Sequence, residues 1–144
     1  MAEFSEAVHS TPETIREVLT TTRTWAVVGC SPDPARDSHR IARLLQQHGF
    51  RVIPVNPKAE QILGERCYAS VTDIPAAEGV EVVEVFRRSE QAGVHVDEAI
   101  AIGAAAVWLQ LGVIDEAAAQ RALDGGLLVV MDRCPAIELP RLAS

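Results

Sequence analysis

The chain has 144 residues, 48% apolar and 23% charged, which suits one domain with its own core and is unlike a disordered composition. Its 13 basic and 20 acidic residues leave a net charge of -7, against a broad affinity for nucleic acid or anionic membrane. Any bound phosphate must therefore be held by a small local site.

Helix and strand signals alternate from the N-terminus onward. Ser10-Thr11-Pro12-Glu13 reads as a helix start with Ser10 as the cap, Pro12 early and Glu13 three residues on. Ile15, Val18 and Leu19 would share one face of this helix, which ends near Thr22. Trp25–Val28 is a short apolar run stopped by Gly29, the pattern of a strand covered on both faces. A helix follows over Ser38–His48, with Ile41, Leu44, Leu45 and His48 on its apolar stripe and Gly49 as its stop. Arg51–Val55 is the second strand, though Pro54 lacks an N–H donor and weakens its last residues.

A polar connection over Asn56–Glu65 leads to a short stretch at Cys67-Tyr68 and a turn or helix near Val71–Pro75. Val80–Phe86 is the third strand and Ser89–Ile102 a helix. Ala105–Leu109 is the fourth strand, Asp115–Leu123 a helix capped by Asp115, and Leu127–Met131 the fifth strand after Gly125-Gly126. This alternation predicts right-handed crossovers and a doubly wound, Rossmann-like α/β fold with a five-stranded parallel sheet in three α/β/α layers.

Three cysteines, Cys30, Cys67 and Cys134, are odd in number and widely separated. That argues against a disulfide framework or a zinc site and fits a reducing cytoplasm. The opening MAEFSEAVHS has no basic stretch before an apolar run, so no secretory signal is read. The longest apolar and small stretch, Ala99–Leu109, is about half the ~20 residues of a membrane span. The expectation is a soluble, cytoplasmic protein with residues 1–144 as one domain and 1–10 as a flexible arm.

In such a sheet ligands bind beyond the carboxyl ends of the strands, where the strand order reverses. The first loop runs from Gly29 through Ser31, Pro32 and Arg36 to a helix beginning near Ser38. A helix N-terminus favours an anion, and the serines and Arg36 add donors and a cation. The other reading is a proline-stiffened turn whose serine merely caps the helix, since the G-x-G-x-x-G fingerprint is missing. In the second loop, Val55-Asn56-Pro57-Lys58 has no acid where an NAD site places one for the ribose hydroxyls. Lys58, the only lysine, suits a phosphate on the adenosine ribose, as in NADP or coenzyme A (CoA); the alternative is a solvated loop lysine. In the third loop, Phe86, Arg87 and Arg88 either flank an adenine and its phosphates or are a core phenylalanine and two surface arginines.

Catalytic constellations are weak. The four histidines, His9, His39, His48 and His95, are scattered, with His48 read as packed and His39 near the anion site. No nucleophile elbow, zinc-protease helix or Walker pattern occurs. Glu84, inside an apolar strand, is either a perturbed carboxylate or a residue facing a helix terminus or solvent. Cys30 and Cys134 flank the same end of the sheet, as reactive thiols or as small buried hydrophobes. Alanine-rich helices predict close helix–sheet packing and offer a flat face for a homodimer.

Six segments then fall into a pattern: Ala26–Ser31, Val52–Lys58, Ile62–Glu65, Val85–Arg88, Val107–Gly112 and Met131–Cys134. In order and spacing, from about Thr11 to Glu138, they resemble the stand-alone CoA-binding proteins. That family is similar to the nucleotide-binding domain of the succinyl-CoA synthetase α subunit. The resemblance implies strand order 3-2-1-4-5 and CoA or an acyl-CoA as ligand. It implies that Gly29, Ser31 and Ser38 hold the diphosphate, Lys58 meets the 3′-phosphate, and Phe86 with Arg87 borders the adenine. Asp132-Arg133-Cys134 would stand where a synthetase loop approaches the pantetheine arm. Two departures stand out: Pro32 and Pro34 replace glycines of the synthetase loop, and the synthetase's phosphohistidine domain is not matched. The implied activity is therefore binding, by the chain alone or working with a protein partner, without forming the thioester itself. An NADP reductase-like protein and an interaction module with a vestigial site are the alternatives.

Overall fold

The computed structural model describes residues 9–143. Helix α1 spans Pro12–Thr21, β1 Thr24–Val28, α2 Asp37–Gln47 and β2 Arg51–Val55. A small hairpin, β3 (Gln61–Ile62) and β4 (Glu65–Arg66), and two 3-10 turns lead to β5, Val82–Val85. Helix α3 (Ser89–Ala101), β6 (Ala106–Gln110), α4 (Glu116–Asp124), β7 (Leu128–Arg133) and α5 (Pro135–Arg141) complete the fold. The hairpin and α5 were not expected; α5 carries Pro140 inside it, a residue that argues for a break. None of the described helices is long and apolar enough to cross a membrane.

The doubly wound α/β class holds: five parallel strands form one sheet, in the order β2-β1-β5-β6-β7. The expected order 3-2-1-4-5 does not. The third main strand, β5, pairs with β1 on the side away from β2, giving 2-1-3-4-5. Pro54 supplies the physical reason. Its carbonyl accepts from Tyr68 N–H on the outer edge of β2, so its missing donor lies on that edge. A full ladder there would lack a bond, and Val55–Tyr68 forms only an isolated bridge. All four residues of β5 are buried, which suits a strand paired on both sides.

Alternation along the strands divides the core into two faces. Trp25, Val27, Val82, Trp108 and Val130 pack under α1 and α2 with Val18, Leu19 and Leu45. Both indoles find acceptors, Trp25 Nε1 on Thr22 Oγ1 and Trp108 Nε1 on Arg133 O, each at 2.9 Å. On the other face Ala26, Val83, Val107 and Val129 meet Ala92, Val96 and Ala99 of α3 and Ala118, Ala119 and Ala122 of α4. These alanines are spent on close helix–sheet packing, so they do not form the flat outer dimer face. Asp115 caps α4 as expected, its Oδ1 accepting Ala118 N–H at 3.0 Å.

Two local expectations are corrected. The cap of α1 is Thr11, whose Oγ1 accepts Thr14 N–H, and not Ser10. Ser10 instead ties the chain to β7, its N–H donating to Val129 O and its Oγ accepting Met131 N–H. His48 is exposed at the end of α2, beyond the last helical turn that faces the core, and bonds Leu44 O. The part of the proposed N-terminal arm before His9 lies outside the described residues.

Candidate functional site

The chain turns from β2 back across β1 to β5, so the strand order reverses between β1 and β5. At their carboxyl ends Gly29 leaves β1 with φ +80°, and a Cβ on it would stand 2.4 Å from Phe86 O. Glycine is required there on both counts, backbone conformation and space. A cavity of about 710 Å³ opens at this point, lined by Gly29, Ser31, Arg36, Ser38, Phe86 and Gln110 among others.

The first loop is held by its own side chains. Ser31 N–H donates to Ser38 Oγ at 3.0 Å, and Asp33 N–H to Ser31 Oγ at 3.1 Å. Ala35 N–H donates to Asp33 Oδ1, and His39 Nδ1 lies 2.9 Å from Ser31 O. Ser38 is buried at 7% exposure, so Ser38→Ala leaves Ser31 N–H without its acceptor. That substitution should cost about 1–2 kcal/mol, read as a drop in thermal midpoint.

Helix α2 starts at this loop with no side-chain cap on its first turn. Its open N–H groups and the dipole make the local field positive in an otherwise acidic protein. Arg36 stands at the cap position on the cavity wall, exposed, with no side-chain bond among the described residues. Arg40 is paired with Asp37 and bonds Ala35 O.

The remaining expected residues are placed apart. Pro32 is exposed in the loop and does not line the cavity. Asn56 is used for tying loops together: Nδ2 donates to Cys30 O at 2.9 Å, and Oδ1 accepts Lys58 N–H at 2.8 Å. Lys58 is exposed beside it, outside the cavity wall. Phe86 faces the cavity, whereas Arg87 lines a separate groove of about 510 Å³ between α3 and α4 and bonds Gln91 at 3.1 Å. Both residues lie in the loop that follows β5, where Phe86 turns into one cavity and Arg87 into the other. The stem of Arg87 still passes Gly29.

Gln110 and Cys134 also line the cavity. Gln110 was missed, although it is the first polar residue after the apolar run of β6, the position inspected for the other strands. The thiols are buried, and burial pushes Cys30 up to about 12, further raised by Cys67 and Glu84 nearby. Cys30 is thus held as a thiol, the opposite of what a nearby helix N-terminus would do alone. Glu84 is fully buried in β5, and burial alone raises its carboxyl well above the usual range. Among the described residues no group of His, Cys, Asp or Glu could hold a metal ion.

Comparison with known proteins fits this architecture. The chain is 37% identical over 120 residues to the uncharacterised protein YneT of Bacillus subtilis, spanning 83% of this chain and 87% of that one. A hypothetical protein from Pyrococcus horikoshii superposes with a TM-score of 0.87 at 42% identity over 93% of each chain. A dinucleotide-forming acetyl-coenzyme A synthetase of Candidatus Korarchaeum cryptofilum matches at a TM-score of 0.65 and 28% identity. That match covers 78% of this chain but only 26% of the synthetase. Over residues 23–140 the sequence matches the CoA binding domain pattern, and the chain belongs to that family.

Proposed function

We propose that this protein binds CoA or an acyl-CoA through its phosphates and adenine, and does not itself form the thioester. The diphosphate would lie on the first turn of α2, held by Ser31, Arg36 and Ser38 with Gly29 leaving room for it. Phe86 would border the adenine, and Lys58 would meet the 3′-phosphate, with Asn56 shaping the turn that presents it. Arg87 would reach the ligand from the far side of Gly29 after leaving Gln91.

The observation that carries this reading is the uncapped α2 N-terminus opening, beside an unpaired Arg36, into the cavity where the strand order reverses. Anions settle at such places because the N–H groups have no other acceptor. Membership in the CoA binding domain family supports CoA over other phosphorylated nucleotides.

Titration calorimetry with CoA and dephospho-CoA tests it. CoA should bind, and Lys58→Ala should weaken it by about 10–100-fold, the worth of a charge-assisted contact. Dephospho-CoA should bind the parent and the variant alike. Equal losses for both ligands would remove Lys58 from the 3′-phosphate. Binding of NADPH in place of CoA would move the protein to the reductase-like class.

A further inference from the structure

In doubly wound sites that bind a ribose diol, an acidic residue at the end of the second strand accepts the ribose hydroxyls. Strand β2 ends at Val55, so Asn56 holds that position in this chain. The next acid, Glu60, lies beyond the turn, where its carbonyl accepts Cys67 N–H at 2.8 Å.

Both polar atoms of the Asn56 side chain are committed to backbone. Nδ2 donates to Cys30 O at 2.9 Å, and Oδ1 accepts Lys58 N–H at 2.8 Å. The amide orientation is fixed, because a carbonyl only accepts and a backbone N–H only donates. The backbone of Asn56 is tied as well: its N–H donates to Tyr68 O at 2.9 Å, and the Cys67 thiol donates to its carbonyl at 3.4 Å. The residue is thus held at once from the first loop, from its own turn and from the Cys67-Tyr68 stretch.

A carboxylate does not suit this place. It would set a negative oxygen against Cys30 O, where the amide now donates. The way the two loops meet therefore excludes the acid that a diol needs. An uncharged amide whose oxygen already accepts from a backbone N–H is a poor substitute for it. For a phosphate the same amide works in the opposite sense. Through its Oδ1 it fixes the turn from which the only lysine of the chain projects. Lys58 is exposed, so its ammonium is open to a ligand.

We infer that Asn56 is a positioning residue that sets the ribose class, favouring an adenosine ribose that carries a phosphate for Lys58 over one with a free diol. This rests on the CoA reading and adds to it the residue that makes the choice. Dephospho-CoA, whose ribose is a diol, is the ligand that exposes the difference.

The test is calorimetry of the full chain with CoA and dephospho-CoA, in the parent, Asn56→Ala, Asn56→Asp, Lys58→Ala and the double variant Asn56→Ala with Lys58→Ala. The parent should prefer CoA by about 10–100-fold, the worth of Lys58 on the phosphate. In Asn56→Ala, where Lys58 remains but is no longer held, that preference should shrink at least about threefold. In Asn56→Asp it should vanish or reverse, since a carboxylate turned away from Cys30 O accepts the diol and repels the phosphate. Once Lys58 is replaced, Asn56→Ala should leave the ratio of the two affinities unchanged, because the two residues act as a unit. A merely structural asparagine would weaken both ligands alike. Equal losses in Asn56→Ala, or a parent-like preference in Asn56→Asp, would therefore overturn the inference. Each comparison is a ratio within one protein, so partial unfolding of a variant does not produce it. Amide hydrogen exchange needs no variant: Lys58 N–H should be protected before any ligand is added, and protection that arises only with CoA would overturn the positioning role. A parent that binds CoA and dephospho-CoA equally would overturn the inference and leave the CoA site in place. Absence of binding by both compounds would overturn the CoA reading and the inference together.

Discussion

Glu84→Met is expected to raise the stability of the protein at neutral pH by about 2–4 kcal/mol, the cost of a buried polar group without a partner. Glu84 lies in the central strand between Val27 and Trp108, is 0% exposed, and neither carboxyl oxygen has a hydrogen bond among the described residues. Its side chain leaves β5 on the face of Val82, toward the cluster of Trp25, Cys30 and Trp108. Desolvation raises its pKa well above 4.5, so the folded protein keeps the proton when the unfolded chain has released it.

The direction of the pH dependence follows. Below about pH 4.5 both states carry the proton, and the titration of Glu84 costs nothing. Above it, folding must take up a proton, so stability falls by about 1.4 kcal/mol per pH unit until the folded-state pKa is passed. The variant lacks this loss, so the gap between the two proteins should widen from pH 5 to pH 8. Urea unfolding at several pH values measures it. A gap that stays constant, or a variant less stable throughout, would show that Glu84 has a compensating partner.

Gly29→Ala should act in the opposite sense and on both folding and binding. The added methyl would sit 2.4 Å from Phe86 O, a backbone atom fixed by the β1–β5 ladder, at a φ of +80°. Neither β1 nor β5 can yield, because β5 is paired on both sides. A loss of about 2–4 kcal/mol is expected from overlap and strain together. The surviving folded fraction should bind CoA at least about tenfold more weakly, since the loop to Ser31 must move. Chemical denaturation and calorimetry on the same sample separate the two effects. Parent-like stability would show that β1 and β5 can part at this point.

The five strands of the main sheet and helices α1 to α4 were legible because hydrophobic period and turn chemistry are local. Trp25–Val28 ended by Gly29, and Asp115 ahead of Ala118, carry their structure in a few adjacent residues. The end of the sheet with the candidate site was legible for the same reason, since it follows from where strands stop. Four-residue β5 and seven-residue α5 were less so: the first lost its ends to the loops, and the second hid behind Pro140.

The sequence by itself determined the parallel α/β class and where its strands stop, and so the end of the sheet that holds the candidate site, through apolar runs, caps and glycines acting over short spans. Only the tertiary structure decided the strand order, because Pro54 blocks an edge only once the side on which its carbonyl points is known. It also decided that Phe86 and Arg87 line different cavities, that Asn56 ties two loops, and that the Glu84 carboxyl and His9 Nε2 are buried without hydrogen bonds among the described residues. These depend on which distant segments lie against each side chain, and no local pattern encodes that.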